Sequence, residues 1–304
     1  MCQTPRQMEV MRRLDLKVGF ACNNRCVFCA QGEKRQVCEA LDIPRLIEQL
    51  RQARHKCTGV VLTGGEPTVY KPIVRLVKAA QLLGYQSIQL QTNGRLLAYP
   101  KMIGALLEAG VTEFSPSLHG TTAEVHDALT GATGAFEQSK EGIRNAVATG
   151  LPVVTNSVVT QLNVDILPEL VELLISLGVR HGQLAFVHPV GTALTLFDSV
   201  VPTLPSVVEP LRKAREVAKA HDMRLVTEAV PLCFLRGMED LAVEEYIPDT
   251  TVVDLDGTLD YSDWRVAQGK SHGPPCENCS VRQRCEGPWR EYPEHRGWDE
   301  FVPL

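Results

Sequence analysis

Three cysteines stand close together near the start of the chain, in Ala21-Cys22-Asn23-Asn24-Arg25-Cys26-Val27-Phe28-Cys29-Ala30. Their spacing is C-x3-C-x2-C, directly after an apolar, β-rich run. Thiolates are soft ligands that suit zinc and iron–sulfur clusters. Three of them on one short loop can ligate three irons of a cubane and leave the fourth open to an exogenous ligand. The alternatives are a zinc site or three unrelated thiols; zinc usually takes four ligands, and no fourth stands nearby in sequence. A second group, Cys276, Cys279 and Cys285, has the spacing C-x2-C-x5-C, with Cys233 upstream in Pro231-Leu232-Cys233-Phe234. Those four thiolates can hold another cluster or a structural zinc. If Cys233 lies elsewhere, the second cluster keeps an open iron that could bind substrate. The other three of the ten cysteines, Cys2, Cys38 and Cys57, have no partner spacing and read as plain thiols.

The elements that must position these loops repeat along the chain. Apolar runs at 14–20, 60–64, 87–92, 111–118, 152–160 and 183–188 alternate with helical patterns of three- and four-residue apolar spacing. One such helix has Ile43, Leu46, Ile47 and Leu50, with Asp42 as expected N-cap and Pro44 in the first turn. Another has Ile73, Leu76, Val77 and Ala80, and a third has Leu170, Leu173, Leu174 and Leu177 after Asp165 as expected cap. Gly84, Gly110, Gly150 and Gly178 fall where a left-handed residue ends a helix. Six strands alternating with helices predict an α/β fold with parallel pairing and right-handed crossovers. Periodicity leaves open a doubly wound sheet or a sheet curled into a barrel.

In either fold the working face lies at the C-terminal ends of the strands. That rule selects Thr63–Pro67, Thr92–Gly94 with Asn93, Ser117–Gly120 with His119, Asn156–Thr160 and His188. Residues 205–221 read as a further helix and 223–230 as a strand, after which the alternation stops. A border near 225 gives two parts, 1–225 and 226–304. The second has too few apolar residues to fold on a core alone, and a metal staple would supply the missing stability. Asp254 and Asp256 lie in an apparent hairpin edge and turn and carry no assigned role.

Composition narrows the function classes. The 304 residues carry a net charge of −5, which disfavours a general nucleic-acid-binding role. Hydrophobic residues make up 44% and charged residues 22%, as in ordinary globular proteins. No apolar run has the length of a membrane span, and the N-terminus shows no signal-peptide pattern. The expectation is a cytoplasmic protein, whose grouped thiols point to metal rather than disulfides.

With these residues in view, the chain resembles the radical S-adenosylmethionine (SAM) superfamily. C-x3-C-x2-C with the aromatic Phe28 before its last cysteine matches that family's signature. Thr63-Gly64-Gly65-Glu66-Pro67, one strand later, matches its GGEP motif. The resemblance covers about residues 14–200. It implies a partial (β/α)6 barrel, and a 4Fe-4S cluster on Cys22, Cys26 and Cys29 whose open iron binds SAM. Reductive cleavage of SAM would then yield a 5′-deoxyadenosyl radical that takes a hydrogen atom from the substrate. Phe28 is expected near the adenine and Glu66 on the methionine ammonium, with Gly64 and Gly65 letting the backbone approach the ligand. Ser117, in Ser117-Leu118-His119-Gly120, matches a fourth-strand segment with His in place of Asp, and Asn156 matches a fifth-strand asparagine. Both are expected to face SAM.

The C-terminal cysteines look like that family's auxiliary-cluster region, of the short twitch or the longer SPASM kind. Four cysteines fit one second 4Fe-4S cluster on Cys233, Cys276, Cys279 and Cys285, in a small irregular twitch-like domain. It would accept an electron or bind substrate. His119 and His188 are the candidate catalytic proton acceptors, though either could be a histidine bonded to a nearby loop. The tail with Trp289, Tyr292 and Trp298 is expected to pack across the barrel.

The implied partners are a small-molecule or peptide substrate and a one-electron donor such as flavodoxin or ferredoxin. The expected role is cofactor or natural-product biosynthesis. The alternatives are a peptide maturase working with a separate leader-binding partner, and a non-catalytic zinc-stapled protein. A molybdopterin-precursor synthase has a similar layout, but that family finishes in Gly-Gly where this chain has Val302-Pro303-Leu304.

Overall fold

A computed structural model describes residues 12–36, 42–254 and 257–304. Cys2, Cys38 and Asp256 lie outside the described residues.

The first half alternates strand and helix: β1 (Arg13–Lys17), α1 (Ile43–Ala53), β2 (Gly59–Thr63), α2 (Ile73–Leu82), β3 (Ser87–Thr92), α3 (Pro100–Ala109) and β4 (Glu113–Pro116). It continues through α4 (Ala123–Thr130), α5 (Ala135–Ala148), β5 (Val154–Val159), α6 (Leu167–Ser176) and β6 (His181–Phe186). Two short turns, α7 (Thr192–Thr195) and α8 (Phe197–Val200), lead into α9 (Leu204–Ala220) and β7 (Arg224–Glu228). β1 to β4 pair in parallel in chain order, as do β5 to β7. Isolated parallel bridges, Phe114 to Val153 and Ser117 to Asn156, join β4 to β5. Strand order equal to chain order is the singly wound pattern, so of the two possible folds the chain adopts the open barrel. The barrel has the six expected β/α units and a seventh parallel strand.

Leu14 and Leu16 of β1 are fully buried, while Arg13, Asp15 and Lys17 alternate with them on the other face. The expected left-handed glycines hold: Gly84, Gly110, Gly150 and Gly178 all have positive φ. The two expected caps differ. Asp42 stands at the N-cap of α1 but its side chain makes no capping bond. α6 begins after Ile166, with Asp165 inside a 3-10 turn. Asn163 orders that turn: its Oδ1 accepts from Thr160 N at 2.7 Å, and its Nδ2 donates to the His119 carbonyl at 2.9 Å.

A border at 225/226 falls inside β7, so the change to irregular chain comes after Glu228. The chain then returns as β8 (Thr250–Asp254), parallel to β1 on its free edge, with β9 (Gly257–Asp260) antiparallel to it as the expected hairpin. α10 (Tyr261–Trp264) and a π-turn (Arg265–Gly269) follow, and α11 (Glu291–Arg296) lies in the tail. The tail shares the core of the barrel's second half through Trp289, Tyr292 and Phe301, so it need not fold on a core of its own. Tyr292 is fully buried, and its hydroxyl accepts from Leu204 N at 2.8 Å.

Candidate active site

The cysteine loop leaves the C-terminal end of β1 and is held by backbone on three sides. Gly65 N donates to Gly19 O at 2.8 Å and Glu66 N to Ala21 O at 2.9 Å. A Cβ on Gly64 would stand 2.1 Å from Gly19 O, and one on Gly65 would stand 2.4 Å from Phe20 O and 2.5 Å from Ala21 O. These glycines therefore let two backbones touch. The sequence suggested approach to a ligand; the neighbour the structure shows is the cysteine loop itself. On the second side, Arg25 N and Val27 N donate to the Thr130 and Leu129 carbonyls in the last turn of α4, at 2.7 and 3.0 Å. On the third, Thr192 N donates to Cys29 O at 3.0 Å.

Side chains pin the residues between the first two thiols. Arg95 donates through Nη1 to Asn24 Oδ1 at 2.8 Å and to the Asn23 carbonyl, and its Nε donates to Gln138 Oε1 at 2.7 Å. Asn93 Nδ2 donates to Asn23 Oδ1 at 2.6 Å. Asn93 thus holds the loop. Arg95 is a site residue that the strand-end rule missed by one position.

Cys22, Cys26 and Cys29 are free and partly exposed. Burial pushes the Cys26 thiol up to about 12, with Cys29 and Cys22 adding to the effect. Burial also raises Cys22. Three mutually repelling soft donors are a ligand set for a positive centre, which draws off their protons when it binds. Ligands of separate irons need not converge on one point, and among the described residues no three His, Cys, Asp or Glu side chains form a site for a single ion.

Glu66 lies beside this loop, 2% exposed. Its Oε1 accepts from Thr68 N at 2.9 Å and from the Thr68 and Thr92 hydroxyls, and its Oε2 accepts from Asn93 N at 2.6 Å. Burial pushes this carboxyl up, while the four donors oppose that shift. Pro67 opens the short turn that places Thr68 under the carboxylate. Ser117 and Asn156 face each other across the β4–β5 bridge. Asn156 Oδ1 is buried without a partner among the described residues, an acceptor open to a ligand.

The two histidines sit apart in role. His119 is buried and packs edge-on against Phe28 at 4.7 Å between ring centroids. Its Nδ1 accepts from Val158 N at 3.2 Å, so that nitrogen is already engaged, and burial holds the ring neutral. His126 stacks on it, and burial lowers His126 to about 4. His188 stacks on Trp289 at 3.8 Å, with Nε2 3.4 Å from Glu291 Oε2. The folded-state pKa values of His119 and His126 lie below the unfolded value, so the unfolded chain binds more protons as pH falls below about 6.5. Anaerobic urea unfolding followed by circular dichroism should show stability falling from pH 6.5 towards 4, by up to roughly 3 kcal/mol from His126. His126→Gln should flatten that slope.

The second group of thiols lines a cavity. Cys233, Cys276, Cys279 and Cys285 line it together with His272, Val281 and Phe301. Burial pushes the Cys233 thiol up to about 12, with Cys285, Cys276 and Cys279 all contributing. Sequence left the place of Cys233 open; the turn after β7 puts it beside the other three. His272 Nε2 lies 2.8 Å from the Cys285 carbonyl. Cys57, one of the three without partner spacing, is buried in the core of the first half.

An open β/α barrel with a three-thiol loop at the mouth of its first strand defines a class of enzyme that holds a metal cluster in the barrel opening. The profile of the Radical SAM superfamily matches residues 16–177. A probable GTP 3′,8-cyclase of Saccharolobus islandicus (strain Y.N.15.51) is 31% identical over 214 residues, covering 68% of each chain. The corresponding protein of Saccharolobus solfataricus is 34% identical over 188 residues, 60% of this chain and 59% of its own. Among solved structures, Streptococcus suis SuiB bound to S-adenosylmethionine aligns with a TM-score of 0.67 at 16% identity, over 92% of this chain and 73% of its own. The chain belongs to the radical SAM superfamily and is a SAM-dependent iron–sulfur enzyme. No helix among the described residues is long and apolar enough to cross a membrane.

Proposed function

We propose that the chain is a two-cluster radical SAM enzyme that rebuilds a small polar precursor in cofactor or natural-product biosynthesis. The observation that carries the second cluster is the single cavity lined by Cys233, Cys276, Cys279 and Cys285. On this reading Cys22, Cys26 and Cys29 hold the SAM-binding 4Fe-4S cluster, and the other four thiolates cap a second one in a twitch-like segment. When bound, the first cluster and SAM supply the 5′-deoxyadenosyl radical that takes a hydrogen atom from the substrate.

The chain's own residues bind and orient. Glu66 accepts the SAM ammonium beside Asn93 N, and Asn156 Oδ1 and Ser117 supply polar contacts from β5 and the end of β4. Phe28, backed by His119, gives an apolar wall for the adenine. A flavodoxin- or ferredoxin-like donor supplies the electron. The small-molecule reading is supported by relatives named as probable GTP 3′,8-cyclases. A peptide-maturase reading is favoured by one specific observation: another SuiB structure, bound to its precursor peptide SuiA, aligns over 86% of this chain.

Anaerobic reconstitution should give about eight irons and eight sulfides per chain, the content of two cubanes. Cys279→Ala should lose about half of that iron and keep uncoupled 5′-deoxyadenosine formation. Iron unchanged by Cys279→Ala would remove the second cluster from the reading. Turnover of GTP against turnover of a peptide, both followed by mass spectrometry, separates the two substrate classes.

A further inference from the structure

The turn after β3 ties the Glu66 carboxylate to the cysteine loop through one residue, Asn93. All four of its polar groups are engaged by protein. Its N–H donates to Glu66 Oε2 at 2.6 Å, and its carbonyl accepts from Ser139 Oγ at 2.8 Å. Its Oδ1 accepts from Arg95 N at 3.0 Å. A backbone N–H only donates, so that bond sets the amide and turns Nδ2 towards the loop. There Nδ2 donates to Asn23 Oδ1 at 2.6 Å.

Arg95 carries the link on to a thiol. Its Nη1 donates to the Asn23 carbonyl and, at 2.8 Å, to Asn24 Oδ1, while its Nε is held by Gln138 Oε1 at 2.7 Å. Asn24 is 3% exposed and points its own N–H at Cys22 Sγ, 3.4 Å away. Contacts therefore run unbroken from Glu66 through Asn93, Asn23 and Asn24 to the first thiol of the loop. The turn that carries them is itself fixed. A Cβ on Gly142 would stand 2.0 Å from Gly94 O, so α5 lies flush against the residue after Asn93, with Ser139 fully buried beside it. Thr92 donates its hydroxyl to Glu66 Oε1 at 2.6 Å and accepts from Gly94 N at 3.1 Å. Side chains mounted on so rigid a turn can hold a loop in register.

We infer that Asn93 and Arg95 are positioning residues that latch the Asn23–Asn24 segment of the loop to the Glu66 carboxylate, and so set the first cluster in register with the SAM ammonium. The inference rests on the reading that this loop holds the cluster and that Glu66 takes the ammonium. The open iron and Glu66 both meet the amino-acid end of SAM, so a change in their spacing weakens binding although no ligand is lost. The latch acts through the loop and the carboxylate, without a contact of its own to SAM.

Equilibrium dialysis of radiolabelled SAM against the anaerobic, unreduced holoenzyme reads the latch without turnover, with affinity taken per iron-loaded chain. Asn23→Ala cuts the latch from the loop side and removes neither Glu66 nor a thiol. It should weaken SAM binding about tenfold, the scale of leaving one partner of a part-buried hydrogen bond unpaired. Asn23→Asp keeps an acceptor oxygen, with Arg95 beside it to balance the charge, and should bind SAM within about threefold of native. Asn93→Ala removes the same bond from the other side, so the double variant should bind no more weakly than Asn93→Ala alone. Equal affinity in native and Asn23→Ala protein overturns the inference. So does a loss in Asn23→Asp as large as in Asn23→Ala, or a double variant in which the two single losses multiply. If Asn23→Ala loads no iron, Asn93→Ala against native protein decides by the same criterion. A native holoenzyme that binds no SAM strikes the proposed function and the latch with it, whereas native binding left unchanged by Asn23→Ala strikes the latch alone.

Discussion

Cys26→Ala should abolish 5′-deoxyadenosine formation by the reduced, reconstituted enzyme. Cys26 is the middle thiol of the loop, and burial together with its two neighbours disfavours its thiolate. That cost is accepted only if a positive centre takes the thiolate. The loop around it is fixed by backbone: Arg25 N and Val27 N are tied to α4, and Cys29 N donates to Cys26 O at 3.2 Å. Alanine leaves all of these bonds in place, so the variant should fold, and its loss should be confined to the cluster. The hard chemistry belongs to the cofactor, so the rate should drop by at least about 10³-fold. Chromatography of the anaerobic reaction mixture measures it. Wild-type rates from Cys26→Ala would remove the loop from the chemistry.

Gly65→Ala should do nearly as much damage without touching a ligand. The added methyl would lie 2.4 to 2.6 Å from backbone atoms of Phe20 and Ala21, and backbone cannot swing aside as a flexible side chain can. Overpacking of this kind costs roughly 1–3 kcal/mol. The strain falls on the segment that leads into Cys22, so the loop shifts relative to Glu66. A displacement near 1 Å costs a catalytic site about 10²-fold in rate. On the proposed two-cluster reading, the variant should keep the iron held by the C-terminal thiols, lose much of the iron held by the Cys22–Cys29 loop, and unfold at lower urea concentration. Gly104→Ala is the control: that glycine lies inside α3 with nothing within 4 Å of its Cβ position. It should stabilise the chain by about 0.5–1 kcal/mol. A Gly65→Ala protein with full iron and native activity would show that the turn and the loop do not depend on each other.

Much of the site was legible because it is local. The C-x3-C-x2-C loop, Gly64-Gly65-Glu66-Pro67 and the polar residues at 93 and 117 each follow a strand, Asn156 lies inside β5, and a parallel β/α repeat carries every strand end to one face. What failed was local too, but subtler. Asp42 and Asp165 have the right residue type for caps, yet Asp42 stands at the N-cap of α1 without a side-chain capping bond and Asp165 lies inside the 3-10 turn before α6. Arg95 lies one residue past the strand-end window, and its role depends on Asn23 and Asn24, seventy positions away.

The sequence by itself determined the β/α alternation, the positions of the helix-ending glycines and the two sets of thiols, because spacing along one strand, helix or loop is already a spatial statement. Only the tertiary structure decided that the sheet opens as a barrel, that β8 returns to the edge of β1, and that Cys233 shares a cavity with Cys276, Cys279 and Cys285. It alone showed that Gly64 and Gly65 serve contact between two backbones. The physical reason is the same in each case. These facts are distances between segments far apart in the chain, set by packing and by which polar groups are left to be satisfied, and no periodicity within a segment encodes them.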